Sequence, residues 1–195
     1  NNALKLNPNN SQAKWNKALS LLRLGNFIDG WKLYESRWEI TGMREHQKHL
    51  NIPLWLGKES IKNKTALIWA EQGYGDTIQF SRYLPILEKM GATVLFEVPK
   101  PLVNLMRTLS QTIQVIENGS IANFISSEKI DFQCPVMSLA LALETTLENI
   151  PNQCPYLHVA KEKIDFWRTK LAAKKEFEKS KGGNFKVGIT WSGSG

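Results

Sequence analysis

The sequence predicts an α/β fold, with a mostly parallel sheet covered by helices on both faces and a pair of short antiparallel helices ahead of it. Three observations carry that expectation. From Thr65 onward, short runs rich in branched and aromatic residues alternate with segments of helical spacing. Upstream, residues 11 to 40 place apolar side chains at helical intervals. Between the first apolar run, "TALIW", and the next helix lies "AEQGYGDTIQF", residues 70 to 80, a glycine-bearing turn at the end of a strand, where open α/β sheets place their ligands. Right-handed crossovers between such strands make the sheet Rossmann-like.

The helical pair comes first. In "SQAKWNKALSLLRLGNFIDGWKLYESRWEI", Trp15, Ala18, Leu19 and Leu22 share one stripe; Gly25 and Asn26 break the pattern, and Phe27, Trp31, Tyr34 and Trp38 restart it. These residues resemble a tetratricopeptide repeat. "NPNN" at 7 to 10 looks like the end of one repeat, and Ala18, Gly25, Gly30 and Tyr34 fall at or near the small and aromatic positions of the next, at a period of about 34 residues. The match departs from the family where Gly30 replaces an alanine and Arg37 stands at a position expected to be small. One repeat cannot bury its own apolar face, so the resemblance implies that residues 1 to 44 continue or cap an array and pack against the α/β domain.

Residues 45 to 63 read as a connector punctuated by Gly, Pro and Asn, with Trp55 as its anchor on the next domain. His46 and His49 have metal-ligand spacing, but with no third ligand in view the segment reads as a surface loop and no metal is expected. A Rossmann-like domain is expected over 64 to 182. Its strands are "TALIWA", "ATVLFEV", "TIQVIE", "KIDFQCP" and "FKVGITW"; its helices cover 76 to 90, 100 to 109, "SLALALETT" and about 161 to 178. Residues 183 to 195 read as the start of a further domain, and the chain as a fragment of a longer one.

The 195 residues carry a net charge of +7 and a pI near 9.4. No nucleic-acid motif accompanies that charge, so nucleic acid is not an expected partner. Much of the excess sits in residues 161 to 181, where eight Lys and Arg face four Asp and Glu, a pattern that reads as a solvated helix face. Cys134 and Cys154 each precede a proline and form no CxxC pair; they suit reduced thiols in the cytoplasm. No apolar stretch approaches the roughly 18 residues of a membrane span, which leaves room only for a peripheral place at the inner face of a membrane.

The turn at 70 to 80 has two readings. Structurally, Gly73 and Gly75 permit positive φ, Asp76 sits where an N-cap would, and Gln79 can reach back as in a capping box. Functionally, Asp76 at the mouth of the sheet is placed as a general base, with Gln72 and Tyr74 beside the glycines as substrate contacts. A dinucleotide site is disfavoured, because GxGD lacks the third glycine and sets a carboxylate where a pyrophosphate would lie.

"ALIWAEQGYGDTIQFSRYLPIL", "FQCPVMSLALALETTLENIPNQCPYL" and "VGITWSG" together resemble glycosyltransferases, often fused to tetratricopeptide repeats, that are related to the heptosyltransferases. That resemblance spans nearly all of residues 11 to 195. It implies the N-terminal half of a GT-B fold, which receives the acceptor, facing a second Rossmann-like domain that binds a nucleotide-sugar donor. It implies an inverting, metal-independent transfer with no cofactor. Asp76 matches the catalytic base. Gln72, Gly73, Tyr74, Gly75, Met137 and Ser138 would line the substrate side, and Trp191, Ser192 and Gly193 would open the donor-side loop. Heptosyltransferases proper carry a proline sooner after the aspartate than Pro85 comes here, so the first helix should be built differently. Ser138 as a helix cap and Met137 as core filling are the plainer readings of "CPVMSL". The alternative function is a non-catalytic module whose repeats recruit a protein partner through Phe27, Trp31 and Trp38.

Overall fold

The structure, a computed structural model, describes residues 2 to 49, 51 to 121 and 129 to 172. They belong to two units, Asn1–His158 and Val159–Gly195. The expected strand "FKVGITW" and the loop of Trp191, Ser192 and Gly193 lie outside the described residues.

The first unit opens with α1 (Asn2–Leu6), α2 (Ser11–Arg23) and α3 (Phe27–Tyr34). Asn10 caps α2 by accepting from the Ala13 N–H, and Asn26 caps α3 by accepting from the Asp29 N–H. The two helices fold back on one another: the Trp15 and Tyr34 rings lie 4.7 Å apart, and Leu22 packs directly on the backbone at Gly30. A Cβ at position 30 would meet Leu22 at 2.7 Å, which explains why this position is glycine. Leu19, expected on the buried stripe, is 45% exposed, because Ala18 faces the core in its place.

Among the described residues the sheet has four parallel strands: β1 (Thr65–Trp69), β2 (Thr93–Val98), β3 (Gln114–Glu117) and β4 (Phe132–Pro135), in the order β3-β2-β1-β4. Thr65 lies opposite Thr93, Leu95 opposite Gln114 and Ala66 opposite Phe132. Between β1 and β2 the expected helix runs as α4 (Tyr74–Phe80), a 3-10 turn (Ser81–Tyr83) and α5 (Leu84–Lys89). Pro85 has no N–H to continue the first helix, so it stands in the opening turn of a new one. The expected helix 100 to 109 shortens to a 3-10 turn and α6 (Val103–Met106), and "SLALALETT" to α7 (Leu139–Ala142).

The sequence predicts helices on both faces, but among the described residues the helices of this unit after α1 all join one cluster. Ile68, Phe96 and Val98 point from the sheet toward Phe80, Leu87, Met106 and Leu139. The crossovers β1 to β2 and β2 to β3 step in the same direction, so right-handedness sends both to one face. The step from β3 to β4 returns across β1. The other face holds Leu67, Leu95 and Ile116, covered by Ile52 of the connector and by Ile121 and Ile130.

Ala18, Tyr34, Trp15 and Trp31 belong to the large cluster, so the helical pair and the sheet share one core. Trp55 anchors the connector as expected: it is 1% exposed, and its indole N–H donates to the Glu59 carbonyl at 2.9 Å. In the second unit, α8 (Lys161–Ala172) forms where the sequence predicts the basic helix, but it exposes Ile164, Phe166, Trp167 and Leu171 together with its lysines.

Gly57 sits at φ +88, and a Cβ there would overlap the Ala142 carbonyl. Gly57→Ala is expected to lower stability by about 3 kcal/mol, from both the left-handed backbone and the steric overlap, as read from the urea unfolding midpoint.

Candidate functional site

At the carboxyl end of β1 the chain leaves the sheet through Ala70, Glu71 and Gln72. The left-handed residue is Gln72, at φ 57. Gly73 is extended and Gly75 lies inside α4, so neither glycine takes the positive φ that the sequence allows. The helix also starts earlier than expected. Gly73 is its N-cap, and Asp76 is the third helical residue, whose Oδ2 accepts from the Gly73 N–H at 3.1 Å. The reach-back belongs to Asp76 and not to Gln79. A Cβ on Gly73 would crowd that oxygen at 3.2 Å. Gln72, Gly73, Tyr74 and Gly75 are exposed and Asp76 is half-buried. Oδ1 of Asp76 has no hydrogen-bond partner among the described residues.

Behind this turn lies a buried polar cluster that the sequence did not reveal. Helix α3 runs straight into a 3-10 turn (Glu35–Glu39), which carries Arg37 into the core with its side chain fully buried. Its Nε and Nη2 donate to the two Glu71 carboxylate oxygens at 2.9 Å each, a bidentate pair. Nη1 donates to Glu35 at 2.6 Å and Nη2 to the Ser138 hydroxyl at 2.7 Å. The Ser138 hydroxyl in turn donates to Glu35, and the Met137 N–H donates to Glu71. Arg37 also lies over the Tyr34 and Trp38 rings, 4.8 and 4.4 Å from their centroids.

These contacts set the charge states. Burial opposes the charge on Arg37, but the Glu71 and Glu35 carboxylates outweigh it and raise its pKa further. Burial pushes the Glu71 carboxyl up from its ordinary value, while both of its oxygens are taken by N–H donors as befits a carboxylate. Burial pushes the Tyr34 phenol to about 12, against the hydrogen bond from Gln72, so it stays neutral.

Met137 and Ser138 therefore do not line an open cleft. Met137 is 6% exposed and accepts from the Tyr34 hydroxyl through sulfur, while Ser138 is fully buried. Ser138 stands at the N-cap of α7 but makes no capping bond; its hydroxyl is engaged by Arg37 and Glu35. Helix packing and the ion pair occupy the point between β1 and β4 where the strand order reverses.

The open space lies to the other side. A cleft of about 480 Å³ opens over the carboxyl ends of β1, β2 and β3, where Gln72, Pro99 and Asn118 meet Trp38, Gln47 and Lys48. A neighbouring hollow of about 350 Å³ shares Trp38, Gln47 and Lys48 and reaches Trp69 and Gln133. The cleft lining mixes the amides of Gln47, Gln72 and Asn118 and the Trp38 indole with the charged side chains of Glu45 and Lys48. Asp76 is not among the lining residues of either.

Glu97 of β2 forms the second buried carboxylate. It accepts from the Gly119 N–H at 3.0 Å, bonds His49 Nε2 at 2.7 Å and lies 3.8 Å from Lys48. Burial works to raise its pKa, but His49, Gly119 and Lys48 prevail and hold it below the ordinary 4.5. His46 is exposed, and no group of three metal-ligating side chains occurs among the described residues. Cys134 is buried, with its thiol pKa pushed well up by that burial, whereas Cys154 is exposed.

Fold and site together define an open parallel α/β domain whose strand ends face a cleft and whose reversal point is plugged by a helical pair. The chain is similar to Protein FlbA of Caulobacter vibrioides, at 26% identity over 191 residues that cover 90% of this chain and 30% of FlbA. The chain thus spans less than a third of that relative's length. No family model and no solved structure matches it.

Arg37→Met strands Glu71 in the core and is expected to cost about 3–5 kcal/mol in urea unfolding; Arg37→Met combined with Glu71→Met recovers most of that loss. Glu97 contributes stability that is full above its ordinary pKa and is lost as the pH falls through its lowered folded value. Glu97→Gln should flatten the stability profile below pH 4.5, measured as unfolding midpoint against pH.

Proposed function

We propose that this chain is the acceptor side of an inverting glycosyltransferase of GT-B type. The observation that carries the reading is the Gly-Asp turn at the carboxyl end of β1, with four exposed residues and one carboxylate held by its own helix. The parallel sheet and the cleft beside the turn support it, as does the resemblance of the three sequence segments to the tetratricopeptide-linked relatives of heptosyltransferases. Helices α2 and α3 correspond, in this reading, to the last tetratricopeptide-like pair.

In the proposed reaction, an acceptor hydroxyl attacks the anomeric carbon of a nucleotide-diphosphate sugar. The hydroxyl proton passes to Asp76 Oδ1, the new C–O bond forms, and the bond to the diphosphate breaks, releasing the nucleotide. The hydrogen bond from Gly73 to Oδ2 fixes the carboxylate and leaves the second oxygen for the proton. Gln72, Gly73, Tyr74 and Gly75 would contact the acceptor from the exposed side of the turn. The donor would be held by a second Rossmann-like domain in the cytoplasm, with no resident cofactor.

The test is sugar transfer by the full-length protein from a panel of radiolabelled nucleotide sugars to cell-lysate acceptors. Asn at position 76 keeps an oxygen for the Gly73 N–H but loses the base. Asp76→Asn is expected to reduce incorporation at least about 100-fold with the fold intact. Equal incorporation by both proteins would remove Asp76 from the chemistry, and no incorporation by either would remove the reaction itself.

A further inference from the structure

Helix α8 is exposed along its described length: every residue from Lys161 to Leu171 faces solvent, its large apolar side chains included. A helix of 12 residues gains little stability from its own hydrogen bonds, and an amphipathic one gains most from a surface that covers its apolar face.

The charges around α8 say which surface that is. At about 100° per residue, Ile164, Trp167 and Leu171 fall at i, i+3 and i+7 and form one stripe. Lys163 and Lys170 border the stripe on one side, and Lys161 and Arg168 on the other. Glu162 and Asp165 lie on the opposite face, where Asp165 Oδ1 accepts from Arg168 Nη1 at 2.8 Å. Lys170 Nζ sits 4.9 Å from the Trp167 ring centroid and 5.5 Å from that of Phe166. Its stem therefore lies along aromatic surface and its ammonium stands at the rim.

An apolar stripe with cations on both rims and acids turned away matches a medium that is hydrocarbon within and anionic at its boundary. Nucleic acid offers the anions but nothing to bury the stripe. A hydrophobic protein groove buries the stripe but leaves cations on both rims without partners. Tryptophan at the centre suits the headgroup level, where an apolar ring and a polar N–H are both accommodated. No helix among the described residues is long and apolar enough to cross a membrane, so α8 would lie along one.

We infer that α8 binds in the plane of an anionic phospholipid surface. Ile164, Trp167 and Leu171 enter the boundary between headgroups and acyl chains, and Lys161, Lys163, Arg168 and Lys170 meet headgroup phosphates. No residue of the Gly-Asp turn takes part, so the inference stands whether or not the chain transfers sugar.

The test is flotation of the full-length protein with vesicles of phosphatidylcholine alone and of phosphatidylcholine mixed equally with phosphatidylglycerol. Wild type is expected to float with the anionic vesicles only. Trp167→Ala, and Lys163→Glu combined with Lys170→Glu, should each lower the bound-to-free ratio at least about tenfold. Lys5→Glu combined with Lys58→Glu makes the same change in net charge at exposed sites outside α8 and should leave binding within about twofold. All these side chains are exposed, and circular dichroism confirms that the variants keep the fold. Equal flotation with both vesicles, flotation undiminished by Trp167→Ala, or equal loss in the two charge-reversed pairs overturns the proposal. Absence of flotation by the wild type would assign the stripe to a protein contact and overturn it equally.

Discussion

A buried guanidinium is the constraint around which this structure is organised. Arg37 comes from the turn after the helical pair, Glu71 from the exit of β1 and Ser138 from the exit of β4, and their bonds leave little freedom among the three segments. An unpaired charge in that position would be strongly destabilising, so each partner requires the others. The cluster also orders its surroundings. Trp38 and Tyr34 are held by the cation between them, and the loop that becomes the Gly-Asp turn begins at a residue whose carboxylate is already fixed.

This arrangement divides the carboxyl edge of the sheet into two zones. Where the strand order reverses, between β1 and β4, the crevice that an open sheet usually offers to a ligand is filled by the protein's own side chains. Over β1, β2 and β3 the edge stays open, bordered by amides, the Trp38 indole and the charged side chains of Glu45 and Lys48. The exposed glycine turn stands at the border of the two zones. Its strained residue is Gln72, whose side chain reaches back to the Tyr34 hydroxyl, so the filled zone shapes the open one.

Much of the fold was legible because it rests on periodicity. The run "TALIW", the break at Gly25 and Asn26 and the anchor Trp55 are local signals, and each has its expected place in the structure. The turn chemistry was less legible. A glycine in the sequence shows where positive φ is allowed, not where it occurs, and Gln72 adopts it beside two glycines that do not. Asp76 is the third helical residue instead of the cap because Gly73 can serve as the cap. Least legible was the buried network. Arg37 looks like a departure from a repeat pattern, and Ser138 like an ordinary helix cap; only tertiary contact joins Arg37 to Glu71, 34 residues along the chain, and to Ser138, 101 residues along. The missed signal was a charge at a position where a small residue is expected.

The distance in sequence between Arg37 and Ser138, 101 residues, sets an order of events during synthesis. At 5–20 residues per second, a ribosome adds the second partner on the order of ten seconds after the first. Through that interval the residues of the helical pair are already made, but Arg37 lacks the full set of partners that the exits of β1 and β4 supply. The turn after β4 therefore completes the set of partners around the buried guanidinium.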